Sequence, residues 1–530
     1  MNPLTQATPK DQAKPATNPL ASLHDYGQVA WLDFLARGFI AQGGLKKLVE
    51  EDGLTGVTSN PSIFEKAIAG SAEYDSSLKE ILGEGDFDVM ALYERLAIED
   101  IRHAADVLRP VFEATKRADG YVSLEVSPYL AMSTQATVAE ARRLWREVAR
   151  PNVMIKVPAT SAGLPAIRQL IADGININIT LLFSQQVYEQ VVEAYLAGLE
   201  QLAAQGGDPG RVASVASFFV SRIDVAVDKL IDERLAQSGA ADERAALGAI
   251  KGKVAIANAK LAYQRYKRLF AGARWEKLRA KGARVQRLLW ASTGTKNKHY
   301  SDVLYVEELI APDTVNTMPP ATMDAFRDHG KPRLSLEESI ERAEQVMAVL
   351  DRAGISIDAV TAKLVEEGVQ LFADAFDKLL GAVAGKRAAI LGEKLDSQIV
   401  TLPPELESAV AASLESWRHD GNVRRLWAGD AALWSGSDEA KWLGWLGIVE
   451  EQRSRIGALT SLAADIRQQD FSHALLLGMG GSSLGPEVLT RTFGKQPGSP
   501  ELLVLDSTNP AQIRTIESQI DPARTLFIVS

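Results

Sequence analysis

The decapeptide PNVMIKVPAT (residues 151–160) wraps an apolar run, Val153, Met154, Ile155 and Val157, around a single lysine, Lys156. The run reads as a buried β-strand, and an ammonium inside it is costly unless it is paired or gives up its proton. A second such run, INITLL (177–182), follows, and the segment 184–204 then places Val187, Val191, Tyr195, Leu199 and Leu202 on one helical face behind a capping Ser184. Further strand-like runs are QVAWL (28–32), GVTS (56–59), YVSLEV (121–126), VASVASFFV (212–220), RLLWAS (287–292) and TVNTM (314–318). With NVMIKV (152–157) and INITLL they make eight, and helical patterns separate them, including 134–149 and a long stretch over 244–270. Eight strands alternating with helices predict a (β/α)8 TIM-type barrel, an α/β fold; an open doubly wound sheet gives a similar periodicity.

The bulk numbers set the frame. A chain of 530 residues is too long for one ordinary core, so two or more domains are expected. Hydrophobic residues at 46% with 24% charged residues describe a globular protein. A formal charge of −10 argues against general nucleic-acid binding but leaves room for a small basic pocket. No apolar run approaches the ~18 residues of a membrane span. The first 19 residues lack an apolar segment and read as a flexible tail, not a secretion signal. The chain contains no cysteine, which rules out disulfides, thiolate metal sites and a cysteine nucleophile, and fits a cytoplasmic home.

After the eighth strand, residues 335–353 and 358–380 read as amphipathic helices on the barrel, and the rhythm breaks near 388–404. The expected organisation is therefore a tail (1–19), a barrel (20–387), a linker (388–404) and a second unit (405–530). In that unit, residues 405–417 and 454–468 look helical, and the latter sets Ile456, Leu459, Leu462 and Ile466 on one face. HALLLGMGGSSLGPEVL (473–489) then reads as strand, glycine-rich turn and helix, and ELLVL and TLFIVS add two parallel-type strands. The chain stops inside the last of these, so the unit is expected to be incomplete.

Barrel catalysis occurs at the C-terminal ends of the strands. Those positions hold Asp33, Asn60, Glu125, Lys156, Asn178, Thr180, Ser217, Arg222 and Ser292. Each has an ordinary explanation alone. A strand lysine snorkels or lies at an edge, Glu125 is its structural partner, Asn60 before Pro61 starts a turn, and Arg222 is a surface charge. Polar side chains on strand after strand make that combination improbable. A lysine amine attacks carbonyls only when unprotonated, a form that burial favours. The resulting iminium ion is an electron sink for breaking a neighbouring C–C bond. Glu125 suits acid/base work with Thr180 holding a water, and Asp33 suits removal of a hydroxyl proton.

The segments GVTSNPSIF (56–64), SLEVSP (123–128), VMIKVPAT (153–160), NITLLFS (178–184) and SVASFFVSRID (214–224) resemble the transaldolase family, in its order, over roughly residues 20–385. WLDFLARG (31–38) is most similar to its longer bacterial branch. The resemblance implies a Schiff base on Lys156, catalytic water handled by Glu125 with Thr180, and proton transfer by Asp33. It further implies that Asn60, Asn178 and Ser217 bind the dihydroxyacetone part and that Arg222 and Ser292 hold the sugar phosphate. Some members carry an arginine two residues after that serine; here the position is Gly294, and Lys296 or Lys298 is expected to supply the charge. The implied reaction moves a dihydroxyacetone unit from sedoheptulose 7-phosphate or fructose 6-phosphate to an aldose phosphate, with no cofactor and no metal. Fructose 6-phosphate aldolase activity and an inactive sugar-phosphate-binding protein are the alternatives.

RLWAGDAALW (425–434) and LLLGMGGSSLGPEVL (475–489) are similar to the start of glucose-6-phosphate isomerase, a SIS-like, doubly wound domain. That likeness implies a phosphate loop at Gly480, Gly481 and Ser482, whose spacing does not fit a dinucleotide fingerprint. The isomerase family's later catalytic glutamate, histidine and lysine have no counterpart, so no isomerase activity is expected from this chain.

Overall fold

Trp31 and Gly56 show why the first strands pair as they do. In this computed structural model, which describes residues 18–237, 240–392 and 401–530, β1 (Gln28–Leu32) lies parallel to β2 (Gly56–Val57) with Trp31 opposite Gly56. A Cβ at position 56 would overlap the Trp31 indole, so the glycine makes room for a tryptophan inside the barrel. The ring continues through β3 (Tyr121–Glu125), β4 (Val153–Pro158), β5 (Ile177–Leu182), β6 (Ser214–Phe219), β7 (Arg287–Ala291) and β8 (Thr314–Met318). β8 pairs with β1, Thr317 opposite Trp31, and closes an eight-stranded parallel barrel. This excludes the open-sheet alternative. Val153, Ile155, Ile177 and Ile179 are buried outward against the helices, while Lys156 and Asn178 alternate to the inside.

Most elements fall where the pattern places them, and the exceptions have local causes. The helix Gln185–Ala204 begins after Ser184, whose side chain accepts the N–H groups of Gln186 and Val187. β2 is two residues long because the chain leaves the ladder to start the helix Pro61–Ala69. The stretch 244–270 is two helices, Ala241–Ile250 and Val254–Leu269, and not one. Gly252 breaks it in a left-handed conformation (φ +66°), with its N–H held by Asp228 at 3.0 Å.

The helix expected over 358–380 runs from Ile357 to Leu391, eleven residues longer at its end, into the segment read as a linker. Lys386 fixes its far end to Asp75 (2.6 Å) and to the Ser71 carbonyl (2.9 Å). Most of the expected tail, residues 1–17, and residues 393–400 of the expected linker lie outside the described residues. The next helix, Pro404–His419, packs against Ile357–Leu391 and belongs by contact to the barrel unit, which extends to Asn422.

Residues 423–530 form a separate unit. Its three strands, β9 (His473–Leu477), β10 (Glu501–Leu505) and β11 (Thr525–Val529), make a parallel sheet with β9 in the centre. The apolar face of the helix Ile456–Gln468 is largely uncovered, with Ile456 56%, Leu459 50% and Leu462 56% exposed. Among the described residues no helix is long and apolar enough to cross a membrane.

Candidate active site

Strand register builds the centre of the barrel mouth. Glu125 of β3 lies beside Lys156 of β4, which lies beside Asn178 of β5, so three polar side chains occupy one inward layer. The Lys156 Nζ donates to Glu125 Oε2 at 3.1 Å and to the Ser59 carbonyl at 3.1 Å. The two side chains of this ion pair are 6% and 7% exposed, so the pair is nearly cut off from water. Phe372, from the helix Ile357–Leu391, lies over the ammonium with its ring centroid 5.6 Å from Nζ.

The carboxylates are tuned by the same enclosure. Burial pushes Glu125 above its ordinary range; Lys156 pulls it down, and the Asp33 charge adds to the rise. Asp33 follows β1 and is also raised, chiefly by burial, against the opposing pull of Lys156, the Thr58 hydrogen bond and Lys296. Thr58 Oγ1 donates to Asp33 at 2.7 Å and is itself 2.8 Å from Thr317 Oγ1, so two threonine hydroxyls hold the Asp33 carboxylate in place.

Thr180 points inward one step further along β5 than Asn178. Its hydroxyl is fully buried and has no hydrogen-bond partner among the described residues, an arrangement that costs stability unless something else occupies it. Just beyond it the β5–β6 register shifts, and Leu181 takes a left-handed φ of +54°. Such backbone in a leucine is strained, and strain of this kind gathers at functional sites.

Asn178 donates to Ser123 Oγ at 2.9 Å and accepts from Ser217 Oγ at 2.6 Å, so the structure brings Ser217 and Asn178 together while Ser123 orders them from behind. Asn60 caps the helix Pro61–Ala69 by accepting the Ile63 N–H at 3.1 Å. The ordinary turn-starting explanation therefore holds for its oxygen. On the other side of the mouth, Ser292 has a φ of +57°, and its Oγ lies 2.9 Å from Ser221 Oγ. The Ser221 N–H also donates to the Ser292 carbonyl at 3.1 Å, which brings the neighbouring Arg222 to the same edge. Arg222 is half-buried over Phe219, 5.6 Å from its centroid, and burial lowers its pKa. Lys296 is exposed, yet close enough for its charge to act on Asp33. A side chain at Gly294 would start 3.1 Å from Thr322 Oγ1.

The family described as Transaldolase/Fructose-6-phosphate aldolase matches residues 30–383, the span of the barrel and most of its covering helix. The chain belongs to the transaldolase family. Transaldolase 2 of Nostoc sp. strain PCC 7120 is 51% identical over 375 residues, covering 70% of this chain and 98% of the relative. The transaldolase of Trichodesmium erythraeum is 48% identical over 372 residues, with coverage of 70% and 98%. That of Thermobifida fusca is 47% identical over 373 residues, with coverage of 70% and 99%.

Four features of the site escaped the sequence reading: Thr58, Thr317, Ser123 and Phe372. Thr58 and Ser123 had a usable signal, since each is a polar residue inside a short run that reads as a buried strand. Phe372 had none, because it arrives from a helix more than 200 residues downstream. Among the described residues no group of three or more His, Asp or Glu side chains is arranged to hold a metal ion.

Proposed function

We propose that the barrel works as a transaldolase through a Schiff base on Lys156, moving a dihydroxyacetone unit between sugar phosphates. The observation that carries this reading is the Lys156–Glu125 pair, 3.1 Å apart and enclosed, beside a threonine hydroxyl with no partner of its own. The unprotonated Lys156 amine attacks the C2 carbonyl of a ketose phosphate. The carbinolamine loses water as Glu125, acting through a water held by Thr180, delivers the proton. Asp33 takes the proton from the C4 hydroxyl. The C3–C4 bond then breaks, its electrons pass into the iminium, and the aldose phosphate leaves. The enamine adds to the aldehyde carbon of a second aldose phosphate, and hydrolysis frees Lys156. A base with raised affinity for protons, as Asp33 is, suits the step that removes a hydroxyl proton near neutrality.

Sedoheptulose 7-phosphate and fructose 6-phosphate are the donors in this reading. Asn60, Asn178 and Ser217 hold the dihydroxyacetone hydroxyls, and Arg222, Ser292 and Lys296 hold the phosphate. Such substrates, with a cysteine-free chain, fit the cytoplasm. Borohydride added with fructose 6-phosphate reduces the iminium to a stable amine. Peptide mass spectrometry is expected to find the three-carbon or hexose-phosphate adduct on Lys156, and an unmodified Lys156 would sink the proposal.

Residues 423–530 are read as similar to the beginning of a glucose-6-phosphate isomerase, with Gly480, Gly481 and Ser482 as a phosphate loop. In support, β9 is followed by Gly480 at φ +64°, ψ −131°, and the helix Gly481–Phe493 starts directly after it. Titration of glucose 6-phosphate, followed by amide shifts at residues 480–482, tests this; shifts confined to the barrel would count against it.

A further inference from the structure

Lined by none of the residues assigned above lies a groove of about 600 Å³. It is walled by the ends of the helices Ala241–Ile250, Val254–Leu269 and Ile340–Arg352 and by residues 299–304. We propose that this groove is a second binding site, for a small organic phosphate, distinct from the sugar-phosphate site at the barrel mouth.

Charge is the first argument. Five cations line the groove against two carboxylates, Glu308 and Glu338, in a chain whose formal charge is −10. Arg333 pairs with Glu308 and Glu338 at 2.5 and 3.3 Å, Lys260 lies 3.6 Å from Glu308, and Lys251 is paired outside the groove with Asp232 at 2.5 Å. Lys253 and Arg342 are exposed and make no ion pair among the described residues, so both keep their charge at the groove, Lys253 with its ammonium also donating to the Ala249 carbonyl at 2.7 Å. The first turn of the helix Ile340–Arg352 adds to this. Ser339 sits at its start in a left-handed conformation (φ +55°) and makes no side-chain cap, leaving the helix's leading N–H groups without that partner.

The groove is also built in advance. Lys260, 6% exposed, donates from its ammonium to the Ser335 and Glu338 carbonyls at 2.9 and 3.0 Å and so fixes the turn that leads into Ser339. On the opposite wall Asp228 accepts from Tyr300 Oη at 2.7 Å and from the Gly252 N–H at 3.0 Å. A Cβ at Gly252 would run into the Tyr300 ring, so the glycine allows this close approach. A pocket rigid before its ligand arrives loses less on binding. Its size falls in the range of small-molecule sites. Ile256, Leu304, Ala343 and Val346 give it an apolar side, which inorganic phosphate would leave unused and a carbon skeleton would cover.

Hydrogen exchange on the full chain locates the ligand, and calorimetric titration measures it. Inorganic pyrophosphate is the first probe, followed by AMP and glucose 1-phosphate, none of which can form a Schiff base. Slowed exchange is expected in peptides covering residues 251–256, 299–304 and 339–343, and either AMP or glucose 1-phosphate is expected to bind more tightly than pyrophosphate. The tighter of the two identifies the skeleton as nucleotide or sugar. In the Lys253→Glu/Arg342→Glu variant the protection is expected to vanish and affinity to fall at least tenfold, with turnover in the absence of the probes unchanged. The single Arg342→Gln change, too mild to disturb folding, is expected to weaken binding several-fold. Protection confined to residues 217–222 and 292–296, or affinity unaltered in both variants, would overturn the proposal. Organic ligands no tighter than pyrophosphate would overturn its carbon-skeleton part.

Discussion

The barrel buries two ion pairs along its axis, one at each end, and they are finished differently. At the base, Asp119 accepts from Arg287 at 2.9 Å, from Trp31 Nε1 at 2.9 Å and from the Gly120 N–H at 3.1 Å. At the mouth, Lys156 and Glu125 have each other and one carbonyl, while Thr180 beside them has no partner and Leu181 and Ser292 hold left-handed backbone. The chemistry of the pairs is similar; the degree of satisfaction is not. A buried charge pair with every lone pair occupied ties strands together, whereas one left incomplete holds donors and acceptors ready for a substrate. The base therefore reads as stability and the mouth as reactivity, as the geometry of such barrels leads one to expect.

The largest effect that breaks this contrast is on turnover. Lys156→Ala is expected to lower kcat on the order of 10⁴-fold or more, since the nucleophile is gone. Stability should change by only about 1–2 kcal/mol, because Glu125, already raised by burial, can take a proton once its partner is removed. A coupled assay and denaturant unfolding of the same sample check both halves; substantial residual turnover would refute the Schiff base.

Arg287→Ala is the matching change at the base. It leaves Asp119, with a 4% exposed side chain, short of its cation, and a loss of about 3–5 kcal/mol is expected in urea unfolding. Turnover per folded molecule should stay within about twofold, since no part of the mouth is touched. A large fall in kcat with little loss of stability would reverse the roles assigned to the two ends.

How far the sequence shows this contrast depends on the range of the interaction. Alternation within one strand places Lys156, Asn178 and Ser217 inward, and β1, β5 and β8 have the bounds that their apolar runs suggest. What cannot be seen is whether a polar group is satisfied, because its partner comes from another part of the ring: Thr58, just after β2, reaches Asp33 and is itself met by Thr317 of β8. The single helix expected over 244–270 fails for a related reason. Gly252 alone is tolerable in a helix; the break follows from Asp228, on a different helix, taking its N–H. The face of Ile456–Gln468 marks another limit, since periodicity defines an apolar stripe without saying what covers it.

Another buried carboxylate, outside the barrel axis, gives a test through pH. Asp224 accepts from Tyr305 Oη at 2.8 Å and from the Ala255 N–H at 2.7 Å, yet burial raises its pKa to about 6. The folded state thus holds a proton there that the unfolded chain, titrating near 3.8, has already released. Stability from this group is full below about pH 4 and is lost as pH rises towards 6, by about 3 kcal/mol. Unfolding measured from pH 4 to 7 should show that fall beneath the other titrations, and Asp224→Asn should flatten it. An unchanged pH profile in the variant would mean that Asp224 is ionised throughout.

The smallest expected effect separates the two ends most directly, because stability and turnover move in opposite directions. Thr180→Val keeps the shape of the side chain and removes a buried hydroxyl that has no partner among the described residues. An unsatisfied buried polar group costs about 1–3 kcal/mol, so the valine variant should be as stable as the parent or more stable. The same hydroxyl is the one proposed to hold the water through which Glu125 works, so kcat should fall about 10–100-fold. Substrate release and phosphate binding depend on other residues, so KM should change little. Thermal unfolding and steady-state kinetics on one preparation are sufficient. A destabilised variant with normal turnover would make Thr180 an ordinary packing residue whose partner is a structural water. A stabilised, slow one would show the barrel giving up part of its stability at the mouth to keep a hydroxyl free for the reaction.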